Sequence, residues 1–199
     1  MTEKYIKIFK HNKENKGVYI SFSDEPENPF YSTTYLGNLL DFEDNLVGNF
    51  TSVSLKDFKT IGDLYKEVRG RFNAKIILPL YRFYPKGITY SLSKTPKIEE
   101  NDYERVGLVY VTEEDFDILD NTVEEVIEIL EEELKDYEAF CNGKVVKGEL
   151  IEWDEKGSEV TDCVDSIYIK KGYVDKIFKD LNEDIREYTE IDYHTHKKT

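Results

Sequence analysis

Along the chain, apolar and polar positions change period several times, and each change marks an element. Val18, Ile20 and Phe22 alternate with polar or small neighbours between Gly17 and Phe22, and Tyr5 to Phe9 alternates in part. A two-residue period puts successive side chains on opposite faces of a strand, so these segments predict an N-terminal hairpin turning near His11–Lys16. Asp24–Tyr31 holds two prolines and an Asn-Pro step and reads as a loop. Leu36–Leu40 predicts a short strand, followed by a turn over Asp41–Asn45. Lys75–Tyr84, Ile88–Leu92 and Val106–Val111 are short apolar runs rich in strand formers. They predict a buried strand, its return partner and a third buried strand. Pro79 lacks a donor for the ladder, so it points to a bulge or an edge position. Glu149–Trp153 and Val160–Val164 flank Asp154-Glu155-Lys156-Gly157 and predict a further hairpin.

Three segments carry the helical period instead. Thr60 with Asp63 caps a helix over Ile61–Gly70, with Leu64 and Val68 one turn apart. Thr122 with Glu125 forms a capping box. Behind it Val123, Val126, Ile127, Leu130, Leu134, Tyr137 and Cys141 share one face of a helix that Asn142-Gly143 ends. Tyr173–Glu187 predicts a second amphipathic helix, striped by Val174, Ile177, Phe178, Leu181 and Ile185. Tyr188–Thr199 reads as a polar, frayed tail. These elements predict an α+β fold: a mainly antiparallel sheet with the long acidic helix packed on one face and a second, C-terminal helix. Residues 1–172 are expected to form one domain, and 173–199 a C-terminal helix and tail.

The chain has 199 residues, of which 39% are hydrophobic and 14% aromatic, enough to build a core. No run approaches the roughly 20 apolar residues of a membrane span, and the first residues lack an apolar signal core. The expected location is the cytoplasm of a bacterial host. Cys141 and Cys163 show no CxxC spacing and are expected to be reduced and buried.

Net charge is −15, and its distribution changes the picture. Glu99 to Glu138 contains 17 acidic residues against Arg105 and Lys135, so this segment holds the whole excess. The predicted helix Thr122–Glu138 is about 26 Å long at 1.5 Å per residue. It carries eight acids, and duplex DNA of that length carries about 15 phosphates. The candidate partner-binding residues are therefore Glu113, Glu114, Asp115, Asp117, Asp120, Glu124, Glu128, Glu131, Glu132 and Asp136. A surface of that kind can occupy a basic nucleic-acid groove, through an interaction that is long-ranged and sensitive to salt.

Catalytic patterns are sparse. There is no GxSxG, Walker loop, GxGxxG or HExxH. Asp115, Asp117 and Asp120 lack the turn glycine of a calcium loop. His11, His194 and His196 are the only histidines, with none expected in the core, so histidine acid–base chemistry has few candidates. Cys141 follows an apolar stripe and reads as core. Tyr81, Phe83, Tyr84, Tyr90 and Tyr103 gather around the central hairpin, expected half in the core and half at its rim. Tyr84-Pro85-Lys86-Gly87 fits an ordinary type I turn.

Leu78-Pro79-Leu80-Tyr81, Gly87-Ile88-Thr89 and Val106-Gly107-Leu108-Val109-Tyr110-Val111 together resemble a family of uncharacterised proteins from phages and plasmids of gut Firmicutes. Those proteins pair an LPLY-type strand with a GIT-type return strand and a VGxxYV strand. Glu27-Asn28-Pro29 and Leu36-Gly37-Asn38-Leu39 are similar to the family's N-terminal region, and the hairpin before Cys163 to its C-terminal region. The likeness spans roughly residues 20 to 170. Where the family carries a DHSG-like turn this chain has Tyr84-Pro85-Lys86-Gly87, and Lys97–Tyr103 replaces a Cys-Pro-Trp-rich loop. The resemblance implies a fold and a mobile-element origin, not an activity.

The leading expectation, by analogy with acidic phage proteins, is a non-enzymatic inhibitor of a host defence nuclease or its complex (a Cas effector or a restriction enzyme), of anti-CRISPR or anti-restriction type. It would need no cofactor, no metal, no membrane and no direct nucleic-acid contact. One alternative is an accessory phage or plasmid protein that binds another protein through an aromatic surface. The other is a carboxylate-based, metal-dependent hydrolase.

Overall fold

The computed structural model describes residues 5–32, 34–83, 88–93 and 103–191. The turn at residues 84–87, the replaced loop at 97–102 and the histidines at 194 and 196 lie outside these residues. In chain order the elements begin with strands β1 (Lys7–His11) and β2 (Lys16–Phe22), a short 3-10 helix at Pro29–Tyr31, and strands β3 (Asn38–Phe42) and β4 (Thr51–Val53). Helix α1 (Ile61–Phe72), strands β5 (Ala74–Phe83), β6 (Thr89–Ser91) and β7 (Tyr103–Thr112) and helices α2 (Glu113–Leu119) and α3 (Val123–Cys141) come next. Strands β8 (Val145–Asp154) and β9 (Gly157–Tyr168), helix α4 (Tyr173–Asp180) and strand β10 (Tyr188–Ile191) complete the chain.

The fold is α+β, but it has two five-stranded sheets rather than the one expected. The chain divides accordingly into two compact units, one made of residues 1–27 and 143–199, the other of residues 28–142. The boundary expected after residue 172 is not where the contacts divide the chain. The second unit is one continuous segment, leaving after β2 and returning into β8, and these two strands pair with each other.

The first unit is an antiparallel sheet in the order β10-β1-β2-β8-β9. Phe9, Val18, Ile20, Val146 and Leu150 form its core with Ile177, Phe178 and Leu181 of the α4 segment. Two expectations are corrected here. The helix begun at Tyr173 stops at Asp180 instead of reaching Glu187. Asn182 adopts left-handed φ 56, with Asn182 N–H donating to the Lys179 carbonyl and Glu183 N–H to the Phe178 carbonyl. That pair of bonds closes the helix in a Schellman turn. Tyr188–Ile191, read as frayed tail, is a strand paired antiparallel with β1, and Tyr188 is buried against Phe178 and His11.

The second unit has the order β4-β3-β7-β5-β6, with β3 and β4 parallel and the other pairs antiparallel. Both faces of its central strands are covered. Leu40 and Leu108 join Leu64 and Val68 of α1, whereas their neighbours Leu39 and Val109 join Val126, Leu130, Leu134 and Tyr137 of α3. This explains the unbroken apolar run Val106–Val111, since a strand covered on both sides has no polar face to show. Pro79 pairs with Leu108 of β7, while β6 pairs only with Tyr81, Arg82 and Phe83. Its other side is thus an edge among the described residues, beside a register shift at Leu80/Tyr81. Both edge and bulge tolerate proline.

Candidate acidic interface

α2 and α3 carry the predicted acids, and each begins on a threonine cap. Thr112 Oγ1 accepts from Asp115 N–H at 3.1 Å and donates to the Asp115 carboxylate at 2.6 Å. Thr122 and Glu125 form the reciprocal capping box, which also holds the Glu125 carboxyl below its ordinary value through hydrogen bonds from Thr122. Glu113, Glu114, Asp117 and Asp120 are exposed, as are Glu124, Glu125, Glu128, Glu131 and Glu132. At 100° per residue Glu124, Glu125, Glu128, Glu131 and Glu132 fall within an arc about 120° wide, away from the buried stripe of Val126, Leu130, Glu133, Leu134 and Tyr137. Lys135 is the single basic residue from Glu113 to Cys141, and it pairs with Glu132. Glu113 lies 3.5 Å from Lys75.

Other acids of α3 are committed inward. The buried Glu133 accepts from Leu36 N–H at 2.5 Å and Gly37 N–H at 2.9 Å. Burial raises its pKa, against the pull of those two bonds. Asp136 accepts from the Tyr35 hydroxyl at 2.6 Å, and Glu138 from Tyr90 N–H at 2.6 Å. These bonds tie the segment 35–37 and strand β6 to the helix. They also reduce the charge density read from the sequence. α3 is about 28 Å long, a length over which duplex DNA carries about 17 phosphates. Five exposed carboxylates less one lysine give about a quarter of that density, not a half.

Beside this face lies a groove of 480 Å³ lined by Thr34, Tyr35, Ile129 and the carboxylates of Glu125, Glu128, Glu132, Glu133 and Asp136. Of the ten predicted residues, Glu128, Glu132 and Asp136 meet there. Glu113, Glu114, Asp115, Asp117, Asp120, Glu124 and Glu131 stand outside its lining. Among the described residues no group of three or more His, Cys, Asp or Glu side chains is placed to hold a metal ion.

Residues read as bland behave unevenly. His11 is buried, contrary to expectation. Its Nδ1 accepts from the N–H groups of Lys13 and Glu14, at 3.2 and 2.8 Å, and its ring meets Tyr188 edge-on. The period-two step from Phe9 to His11 was the available signal. It is a turn support, not an exposed base. Cys163 is exposed and Cys141 half-buried, so the expectation that both thiols are buried is corrected. Phe83 and Tyr90 are core, while Tyr81 and Tyr103 are half-buried and packed edge-on at 5.6 Å.

No helix among the described residues is long and apolar enough to cross a membrane. No protein-family model matches the chain, and neither a curated protein nor a solved structure resembles it at a significant level.

Proposed function

We propose that this chain is a mobile-element-encoded, stoichiometric inhibitor of a host complex that targets nucleic acid, with the α2–α3 face docking on a basic nucleic-acid-binding surface. The observation that carries this reading is the set of nine exposed carboxylates on α2, the α2–α3 junction and α3, opposed within Glu113–Cys141 only by Lys135. The acidic helix presents one face outward and uses the other to pack. Binding needs neither turnover nor cofactor: occupying a cationic groove excludes its nucleic acid. Analogy with acidic phage proteins suggests the partner class, a Cas effector nuclease or a restriction enzyme. The aromatic alternative is the weaker one, because Phe83 and Tyr90 lie in the core.

The test is capture of purified Cas effectors and restriction enzymes on the immobilised chain, with elution in rising salt and a parallel cleavage assay. Capture released by salt, with loss of cleavage, is the expected result. Glu128→Lys, Glu131→Lys and Glu132→Lys together are expected to weaken capture at least tenfold at low salt. Asp136 is left intact because Tyr35 depends on it. Equal capture by the reversed variant, or no retention of any enzyme with a basic groove, would sink the reading.

A further inference from the structure

α2 is an unusual surface helix because none of its seven residues is buried. Phe116 alone packs partly against the core, with the Lys75 ammonium 5.7 Å from its ring centroid. The remaining apolar side chains at this corner face solvent. Ile118 is 74% exposed, the highest value of any exposed large apolar residue described, and Leu119 and Val123 follow at 38% and 46%. Single exposed apolar residues are ordinary. No other stretch among the described residues places three within six positions. Asp120, in left-handed conformation at φ 51, turns the chain between Leu119 and α3. The patch is therefore the α2–α3 corner itself.

Exposed carboxylates flank it: Glu114, one turn before Ile118, then Asp117, Asp120 and Glu124. That rim selects the occupant. Nucleic acid and anionic lipid are repelled by it. A second copy meeting this corner about a two-fold axis would set carboxylate against carboxylate. What complements an apolar centre with an acidic rim is a protein pocket with an apolar floor and a Lys/Arg rim. This is the common anatomy of an interface whose anchors are shielded by polar surroundings.

We infer that the Ile118–Leu119–Val123 corner is the anchor of the interface, inserting into an apolar pocket of a protein partner whose rim is basic. The inference rests on the acidic docking face proposed above and adds to it. The quarter-density carboxylate face steers the approach, and the corner supplies the salt-resistant part of the affinity.

The test uses the full chain and two synthetic helical peptides of equal positive charge, one of Lys and Leu at helical spacing and one of Lys and Ser. Affinity is read by fluorescence anisotropy at low and high salt. The Lys/Leu peptide is expected to bind at least tenfold more tightly, with an excess that survives high salt. In the Ile118→Ser, Val123→Ser double variant that excess should vanish while Lys/Ser binding at low salt persists. Both positions face solvent, and circular dichroism checks that the fold is kept. Equal binding of the two peptides, or an excess indifferent to the double variant, would overturn the anchor. Failure of the Lys/Ser peptide to bind at low salt would instead sink the electrostatic reading beneath it. A concentration-dependent dimer by sedimentation, or binding to zwitterionic vesicles, either one abolished by the double variant, would reassign the corner and overturn the inference.

Discussion

Leu36 and Gly37 offer their N–H groups to Glu133 rather than to water, and Glu133 is buried in doing so. Burial disfavours the charged form and raises its pKa above the ordinary 4.5. Between the unfolded value and the raised folded one, the folded state holds more proton. Stability from this group therefore falls as pH rises through that window and is greatest below it. Glu133→Gln, which cannot ionise, should lose this slope. In urea unfolding between pH 4 and 7 the variant should match the native chain in acid and gain on it toward neutrality. Glu133→Ala leaves the buried Gly37 N–H and the part-buried Leu36 N–H without their acceptor and should cost about 1–3 kcal/mol in acid. Identical slopes in native and Gln chains would show that Glu133 does not titrate as its burial demands. Its position was legible in principle: Val126, Leu130, Glu133 and Tyr137 follow i, i+4, i+7, i+11 along the buried face. Its run of acidic neighbours hides that spacing.

At the scale of elements, what could be read was what is decided locally. The caps Thr60–Asp63 and Thr122–Glu125 are contained within four residues, and both appear as capping boxes. The N-terminal hairpin and the Glu149–Val164 hairpin were also visible, because a two-residue period and a turn are local signals. What could not be read depended on partners far along the chain. Tyr188–Ile191 becomes a strand only because β1, some 180 residues earlier, supplies its ladder (Ile8 opposite Ile191). Fit between elements was equally silent. Gly148 of β8 lies against Ile177 of α4, and an added Cβ would come within 2.4 Å of its Cγ2. Ile177 is fully buried, so it has nowhere to yield. Gly148→Ala should destabilise the first unit by about 1–3 kcal/mol. A chemical denaturation midpoint unchanged from the native chain would show that the helix shifts freely over the sheet.

For the whole molecule, the charge asymmetry and the division into units coincide in part. Residues 28–142 carry 23 acidic and 12 basic residues, the rest 19 and 15, so most of the excess sits in the second unit. The asymmetry was plain in the sequence; the insertion of one unit between two paired strands of the other was not. Each unit has its own core, formed by residues of that unit alone. Separate cores predict separate transitions, and the chain carries its own reporter. Its single tryptophan, Trp153, lies on β8 of the first unit. Gly107 of the second unit sits opposite Asp41 in the β3–β7 ladder, where an added Cβ would fall 2.3 Å from the Leu40 carbonyl oxygen. That contact is with backbone, so Gly107→Ala must push β3 and β7 apart, at a cost of about 2 kcal/mol or more. In urea, far-ultraviolet circular dichroism should then show an earlier transition for the variant, while tryptophan fluorescence keeps the native midpoint. If both signals move together by the same amount, the two cores fold as one cooperative system, and a change at the acidic unit reaches the whole chain.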